Sequence, residues 1–226
     1  MRMSTPHARR IETVQRLQAL LAHLNDAPVT VRATDFLLTD REQVQQLTDE
    51  PPTTDEQVLV SHKQDELHLA LYIDRRVLDN LAAQDPFAQL DECNLQDFCT
   101  ALEGISHFHY LIWSAERRRE VSLLELELQA EVDKYASAML LSLRQSHGRF
   151  PRDLHARLFH RVAFAAGLQE EHRRRYQEAN RQAAYFCRVI DERFLTRRQA
   201  QPEAWLASLR HFFRLGHPVK MRSVFA

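Results

Sequence analysis

The 226-residue sequence has no long apolar run and contains few glycines. No stretch approaches the roughly 18 consecutive apolar residues that a membrane-spanning helix needs, so no membrane partner is predicted. With 4 glycines and 8 prolines, the chain has few turn-forming residues. A many-stranded β-sandwich or barrel needs a tight turn roughly every 8–12 residues. The composition therefore favours helices.

Cysteine is also scarce, with only Cys93, Cys99 and Cys187. An odd number of cysteines, together with a charged amino-terminal segment that no apolar stretch follows, predicts a reduced protein in the cytoplasm. Cys93 and Cys99 are too far apart for a CxxC redox or zinc pair. The sequence also lacks HExxH, glycine-rich phosphate-binding and GxSxG motifs, so a nucleotide-binding or standard hydrolase function has no support.

The near-balance of 30 basic and 31 acidic residues hides an asymmetry. Residues 1–100 hold 9 Lys and Arg against 17 Asp and Glu, whereas residues 101–226 hold 21 against 14. Nearly all the basic residues are arginines. The pattern indicates either two halves that attract each other or a basic face for an acidic partner. The preference for arginine can equally reflect genome composition.

The amino-terminal part mixes helix and strand signals. Apolar residues at helical spacing predict a helix over 11–24, and the β-branched segment 28–32 predicts a short strand. A short helix is expected to end near Leu47. Alternating apolar residues predict a β-hairpin over 57–73, and a helix over 75–84 follows it.

From residue 94 onward the pattern is helical. The predicted helices cover 94–116, 122–146, 152–165, 168–197 and 202–215. Ser122, with Glu125 three residues later, is typical of a helix amino-terminal cap. The fold class is therefore α+β and predominantly helical. A small antiparallel β-sheet region in 1–92 packs on a helical bundle in 93–226, and the two can form one continuous domain.

The polar residues best suited to catalysis or metal binding lie on the predicted hairpin of the two central helices. If its turn is centred near Arg119, His107 lies level with Glu131. Glu103 and His107 stand four residues apart, as do Glu127 and Glu131, so each pair shares a helical face. Two hypotheses follow. Glu103, His107 and Glu131 could act as acid–base catalysts, or His107, His109, Glu127 and Glu131 could hold a divalent metal ion, the candidate cofactor.

Each of these residues also has a structural interpretation that needs no functional site. Helical carboxylate metal sites repeat a Glu-x-x-His step twice, whereas this sequence has Glu-x-x-x-His once. On a helical wheel Glu103 and His107 lie nearly opposite the apolar stripe, so they can face solvent or another element. His109 lies within the stripe, as expected of a core histidine bonded to a carbonyl or carboxylate. Glu131 can simply pair with Lys134.

A second candidate surface is a ridge of arginines on the long helix of 168–197. Arg174, Arg181 and Arg188 recur every seven residues, and such a ridge can contact an acidic partner or the phosphates of nucleic acid. No known nucleic-acid recognition motif accompanies it. A solvated helix face explains the same pattern.

Three functions remain open from the sequence. The first is a cytoplasmic protein-interaction or regulatory protein without a catalytic motif, whose partner is another protein or a second copy of itself. The alternative is a metal-binding protein or enzyme that uses the Glu/His cluster of the helical hairpin. The third is nucleic-acid binding through the arginine ridge.

Overall fold

The computed structural model describes residues 5–48, 51–63, 66–160, 170–196, 201–216, 219–220 and 222. Within them the α-helices are α1 (Pro6–Asn25), α2 (Arg41–Thr48), α3 (Arg75–Ala83), α4 (Leu95–Ala115), α5 (Leu123–Gln145), α6 (Leu154–Phe159), α7 (Glu170–Phe194) and α8 (Pro202–Arg214). The strands are β1 (Leu37–Leu38), β2 (Glu56–Lys63) and β3 (Glu66–Ile73). The predicted fold class, a mostly helical α+β protein with its small sheet near the amino terminus, is confirmed.

Local sequence explains how the central helices begin. The Ser122 side chain accepts a hydrogen bond from the backbone N–H of Glu125 at 3.2 Å, so α5 starts at the predicted cap. The Asp74 side chain caps α3 in the same way, by accepting from Arg76 N–H. Parts of two predicted helices, 161–165 and 168–169, lie outside the described residues, as does residue 197.

The sheet has the strand order β1–β3–β2. β2 and β3 form the predicted antiparallel hairpin, in a register that pairs Glu56 with Ile73. Its turn positions 64–65 lie outside the described residues. The third strand, β1, runs parallel to β3 and pairs Leu37 with Leu71, so the sheet is mixed. A strand of two residues is too short to leave a periodic pattern in the sequence.

The strand predicted over 28–32 is wrong, because side chains satisfy the backbone of this segment. Glu116 accepts from Thr30 N–H at 3.1 Å, and the Gln18 side chain donates to Val31 O and accepts from Ala33 N–H. These bonds replace the strand ladder that β-branched residues would otherwise join. The first strand lies later, at β1.

Most of the buried apolar side chains of the sheet and the helices meet in one core cluster. Its buried members include Leu17, Leu71, Phe98, Leu128 and Ile190, which come from α1, β3, α4, α5 and α7. α5 packs between α4 and α7, and α4 also contacts β2 and β3. The division of the chain into regions 1–92 and 93–226 stays a prediction. Among the described residues, no helix combines the length and apolar character that crossing a bilayer requires.

Candidate functional site

A cluster of charged side chains lies where four elements meet. β2 contributes Glu56, and α7 contributes Arg175 and Tyr176. The helices α4 and α5 contribute the remaining members, Glu103, His107, Glu127, Glu131 and Lys134. We call these eight residues the carboxylate cluster. It contains every residue predicted as an acid–base catalyst and three of the four predicted metal ligands.

His107 lies between two carboxylates. Its Nε2 atom is 3.4 Å from Glu127 Oε2, and its Nδ1 atom is 3.9 Å from Glu56 Oε2. The His107 side chain is only 9 % exposed. Among the described residues, neither His107 Nε2 nor Glu56 Oε2 has a hydrogen-bond partner. Nε2 faces Glu127 and Glu56 Oε2 faces Nδ1 on the other side of the ring, and neither contact has the geometry of a hydrogen bond.

Lys134 bridges two of the other carboxylates. Its ammonium donates to Glu103 Oε2 at 2.7 Å and to Glu131 Oε1 at 2.9 Å. Burial opposes the charged form of Lys134, but the attraction of Glu103 and Glu131 outweighs it and raises the lysine pKa well above its usual value. Lys134 is thus a permanent cation, and the Glu131–Lys134 pair expected from their spacing is present.

The acidic groups respond differently to this surrounding. Burial alone would raise the pKa of Glu103, but Lys134 and His107 lower it overall. For Glu131 burial outweighs the attraction of Lys134, so its pKa is raised. Burial and the repulsion of Glu103 raise the pKa of Glu56 to about 8. Of these three carboxylates, Glu103 stays ionised most readily.

The cluster has more acidic than basic groups. Its four carboxylates are accompanied by two permanent cations, Lys134 and Arg175. The Nε atom of Arg175 lies 3.5 Å from Glu127 Oε1. Burial alone would lower the pKa of His107, but Glu127, Glu56 and Glu103 raise it to about 9. The imidazolium and a proton on Glu56 therefore compensate the excess negative charge near neutral pH.

Part of the cluster has the spacing of a metal site. Glu103, His107 and Glu127 each offer one ligand atom, and these atoms all lie within 4.8 Å of one another. Ligands bound at about 2.1 Å to one ion are at most about 4.2 Å apart, so small side-chain rotations would close the set. Glu56, on the other side of the imidazole, is a further oxygen donor.

His109 does not join the other predicted ligands. Its Nε2 atom is 2.7 Å from the Ala27 carbonyl oxygen, and burial lowers its pKa to about 4. His107 and His109 are two residues apart on α4, so their side chains point to different sides of the helix. His109 is therefore a buried core histidine that bonds to a carbonyl group, as its position in the apolar stripe predicted.

The three arginines of the predicted ridge are exposed and lie along α7, apart from the carboxylate cluster. Arg174 pairs with Glu170 at 2.9 Å, and Arg181 pairs with Glu178 at 2.7 Å. The Arg188 guanidinium lies 5.6 Å from the centre of the Tyr185 ring. Local pairs of this kind are typical of a solvated helix face.

Sequence reasoning missed Glu56, Arg175 and Tyr176 as members of the carboxylate cluster, and it named Lys134 only as a partner of Glu131. Glu56 begins a strand and Arg175 lies within a run of arginines, so neither has a local signal. The apolar residues on two sides of α5 do indicate a central helix that other elements cover on both sides. The sequence could not say which element that is.

A second buried network joins α4, α5 and the carboxyl-terminal segment. Tyr110 donates to Glu125 at 2.5 Å, Arg119 pairs with Glu125, and Lys220 donates to both Tyr110 and Gln129 at 2.8 Å. Glu125 and Lys220 are fully buried. These groups bond to one another away from solvent, although Glu125 Oε2 and Arg119 Nη1 have no hydrogen-bond partner among the described residues. We interpret the network as one that holds the carboxyl-terminal segment against α4 and α5.

Comparison of the chain with protein-family models, with curated proteins and with solved structures finds no match.

Proposed function

We propose that the protein binds a divalent transition-metal ion between Glu103, His107 and Glu127, with Glu56 as an additional oxygen donor. The observation that carries the proposal is that Glu103, His107 and Glu127 each place one ligand atom within 4.8 Å of the others, while His107 Nε2 has no hydrogen bond of good geometry. A buried polar atom without a partner costs on the order of 1–3 kcal/mol. A cation in this cluster offsets that cost.

The charge of the cluster supports the same proposal. Carboxylates in excess of the permanent cations leave negative charge that either protons or a metal ion must compensate. Lys134 holds Glu103 and Glu131 in place by direct bonds. In the proposed site Lys134 therefore orients a ligand, as partners of ligating carboxylates commonly do.

The donor set favours a particular class of metal. Three carboxylates and one imidazole suit Mn²⁺, Fe²⁺ or Zn²⁺ better than Cu⁺, which prefers sulfur ligands. Acid–base catalysis by Glu103, His107 and Glu131 is a narrower proposal on the same residues. Catalysis also requires a substrate, and the chemistry of the cluster does not identify one.

Titration of the chelator-treated protein with Mn²⁺ and Zn²⁺ tests the proposal. We expect one ion per chain by calorimetry, with affinity at least about tenfold lower in His107→Gln and Glu127→Gln, because each variant removes a ligand. Glu170→Gln is the matched control, since Glu170 is an exposed carboxylate outside the cluster. Equal affinity in all four proteins, or no stoichiometric binding, would overturn the proposal.

The other expected functions stay predictions. A cytoplasmic interaction or regulatory role, with another protein or a second copy as partner, is compatible with the same fold. Nucleic-acid binding receives less support, because Arg174 and Arg181 each have a carboxylate partner on their own helix. Such pairs must be broken or shared before phosphates can replace them.

A further inference from the structure

The carboxyl-terminal halves of α7 and α8 enclose a groove that is separate from the carboxylate cluster. Its volume is about 460 Å³, within the range of roughly 300–1,000 Å³ that small-molecule sites occupy. Phe186, Ile190 and Phe212 are buried beneath it. The rings of Phe186 and Phe212 stack with their centres 4.1 Å apart, which gives the groove a rigid apolar floor.

The walls and the rim of the groove differ from its floor in exposure and in charge. Tyr185 and Val189 line one wall and are 38 % and 39 % exposed. The basic side chains of the lining are Arg193 and His211, and no described lining residue is acidic. Arg193 forms no ion pair with a described residue, and its guanidinium lies 5.3 Å from the centre of the Phe194 ring.

We propose that this groove binds a single-chain amphiphile with an anionic head, a free aliphatic carboxylate. The alkyl chain lies on the apolar floor, and Arg193 pairs with the carboxylate while His211 lies beside it. Charge complementarity selects an anion, because the rim is basic and lacks an acidic side chain. The proposal is independent of the metal site.

The size of the exposed surface argues against a protein as the occupant. A stable protein interface buries about 800 Å² on each partner, from roughly 20 or more residues. The groove instead offers two exposed apolar side chains on its wall above a narrow floor between two helices. That shape suits one alkyl chain, whose burial contributes about 0.8 kcal/mol for each methylene.

Calorimetric titration of the full chain with decanoate and with decyltrimethylammonium tests the proposal, since the two probes share a chain and differ in the charge of the head. We expect saturable binding of decanoate and at least tenfold weaker binding of the ammonium. Arg193→Gln should weaken decanoate binding about tenfold, the usual effect of a lost charge-assisted bond. Arg174→Gln is the matched control, because Arg174 is an exposed arginine of α7 that does not line the groove.

Several outcomes would overturn the proposal. Equal affinity for both probes would mean that hydrophobic contact alone drives binding. An equal loss in Arg174→Gln and Arg193→Gln would mean that net charge, and not the groove, attracts the anion. Binding to vesicles of anionic phospholipid without saturable binding of free decanoate would replace the proposed ligand with a membrane surface.

Discussion

Nδ1 of His107 lies 3.9 Å from Oε2 of Glu56, so a central helix and an edge strand of the sheet place one titratable group each in the same buried cluster. The two residues are far apart in the sequence and belong to the two regions that composition and periodicity distinguish. Their proximity links the protonation of the cluster to the packing of β2 against α4, and hence to folding.

The first prediction concerns the stability of the metal-free protein. The pKa of His107 is about 9 in the folded chain, above its usual 6.5, so the folded state binds the proton more tightly than the unfolded state does. This contribution is fully present below pH 6.5 and is lost as pH rises through 9. We expect the free energy of unfolding to fall by on the order of 3 kcal/mol across that interval.

Urea unfolding at several pH values, with a chelator present, measures this fall. Glu56, whose pKa is raised from 4.5 to about 8, acts in the same direction, because its stabilising proton is lost through pH 8. His107→Gln should therefore flatten the decline and leave a smaller one. An identical slope in the variant and the natural protein would show that His107 does not carry the effect.

The second prediction concerns metal binding and pH. A metal ion binds the neutral imidazole and ionised carboxylates, so it must displace the protons that the cluster holds near neutral pH. We expect the affinity for Mn²⁺ to rise about tenfold per pH unit for each proton released, up to the pKa of His107 near 9. Calorimetry in buffers of different ionisation enthalpy counts the protons. An affinity that stays constant between pH 6 and pH 8 would contradict this linkage.

The third prediction concerns the buried pair of Arg119 and Glu125. Glu125 is fully buried, so Arg119→Met leaves a carboxylate without its nearest cation, with Lys220 3.9 Å away, and should destabilise the protein by about 3 kcal/mol. Adding Glu125→Gln removes the unpaired charge and should recover part of the loss. Arg118→Met, at an exposed neighbouring position, should change the free energy of unfolding by less than about 0.5 kcal/mol. If the double variant were less stable than the single one, charge pairing would not be the cause.

The fourth prediction concerns Gly104, at the closest approach of α4 to the sheet. A Cβ atom here would lie 3.1 Å from Glu56 Oε2 and 3.2 Å from Leu71 Cδ1. Gly104→Val should therefore destabilise the protein by about 1–3 kcal/mol and weaken Mn²⁺ binding by moving Glu56. Gly216→Val is the control, because a Cβ atom there meets nothing within 4 Å. Unfolding midpoints that shift equally in both variants would contradict the close packing.

Short-range patterns in the sequence predicted most of the helices and the hairpin. The 3.6-residue period marked α4 and α5, and the Ser122 cap fixed where α5 begins. These features depend on neighbours in the chain, so the sequence contains them directly. The predicted level across the helical hairpin placed His107 beside Glu131, whereas His107 contacts Glu127, one turn earlier on α5.

The same reasoning was less informative where a distant partner decides the structure. Segment 28–32 has strand-forming residues, yet bonds from Gln18 and Glu116 hold it outside the sheet. The helical wheel placed Glu103 and His107 away from the apolar stripe but could not distinguish solvent from β2. Glu56 and Arg175 complete the cluster from other elements, without a local signal.

The sequence by itself determined that this chain is mostly helical, where its central helices lie, and that carboxylates and an imidazole share faces of two of them. Tertiary packing alone decided that those faces are covered, that Glu56 and Arg175 meet them, and that His109 turns to the Ala27 carbonyl. The physical reason is that periodicity encodes which side of a helix is buried. The charge and hydrogen-bond balance of a buried site depends on groups that come together only when the chain folds.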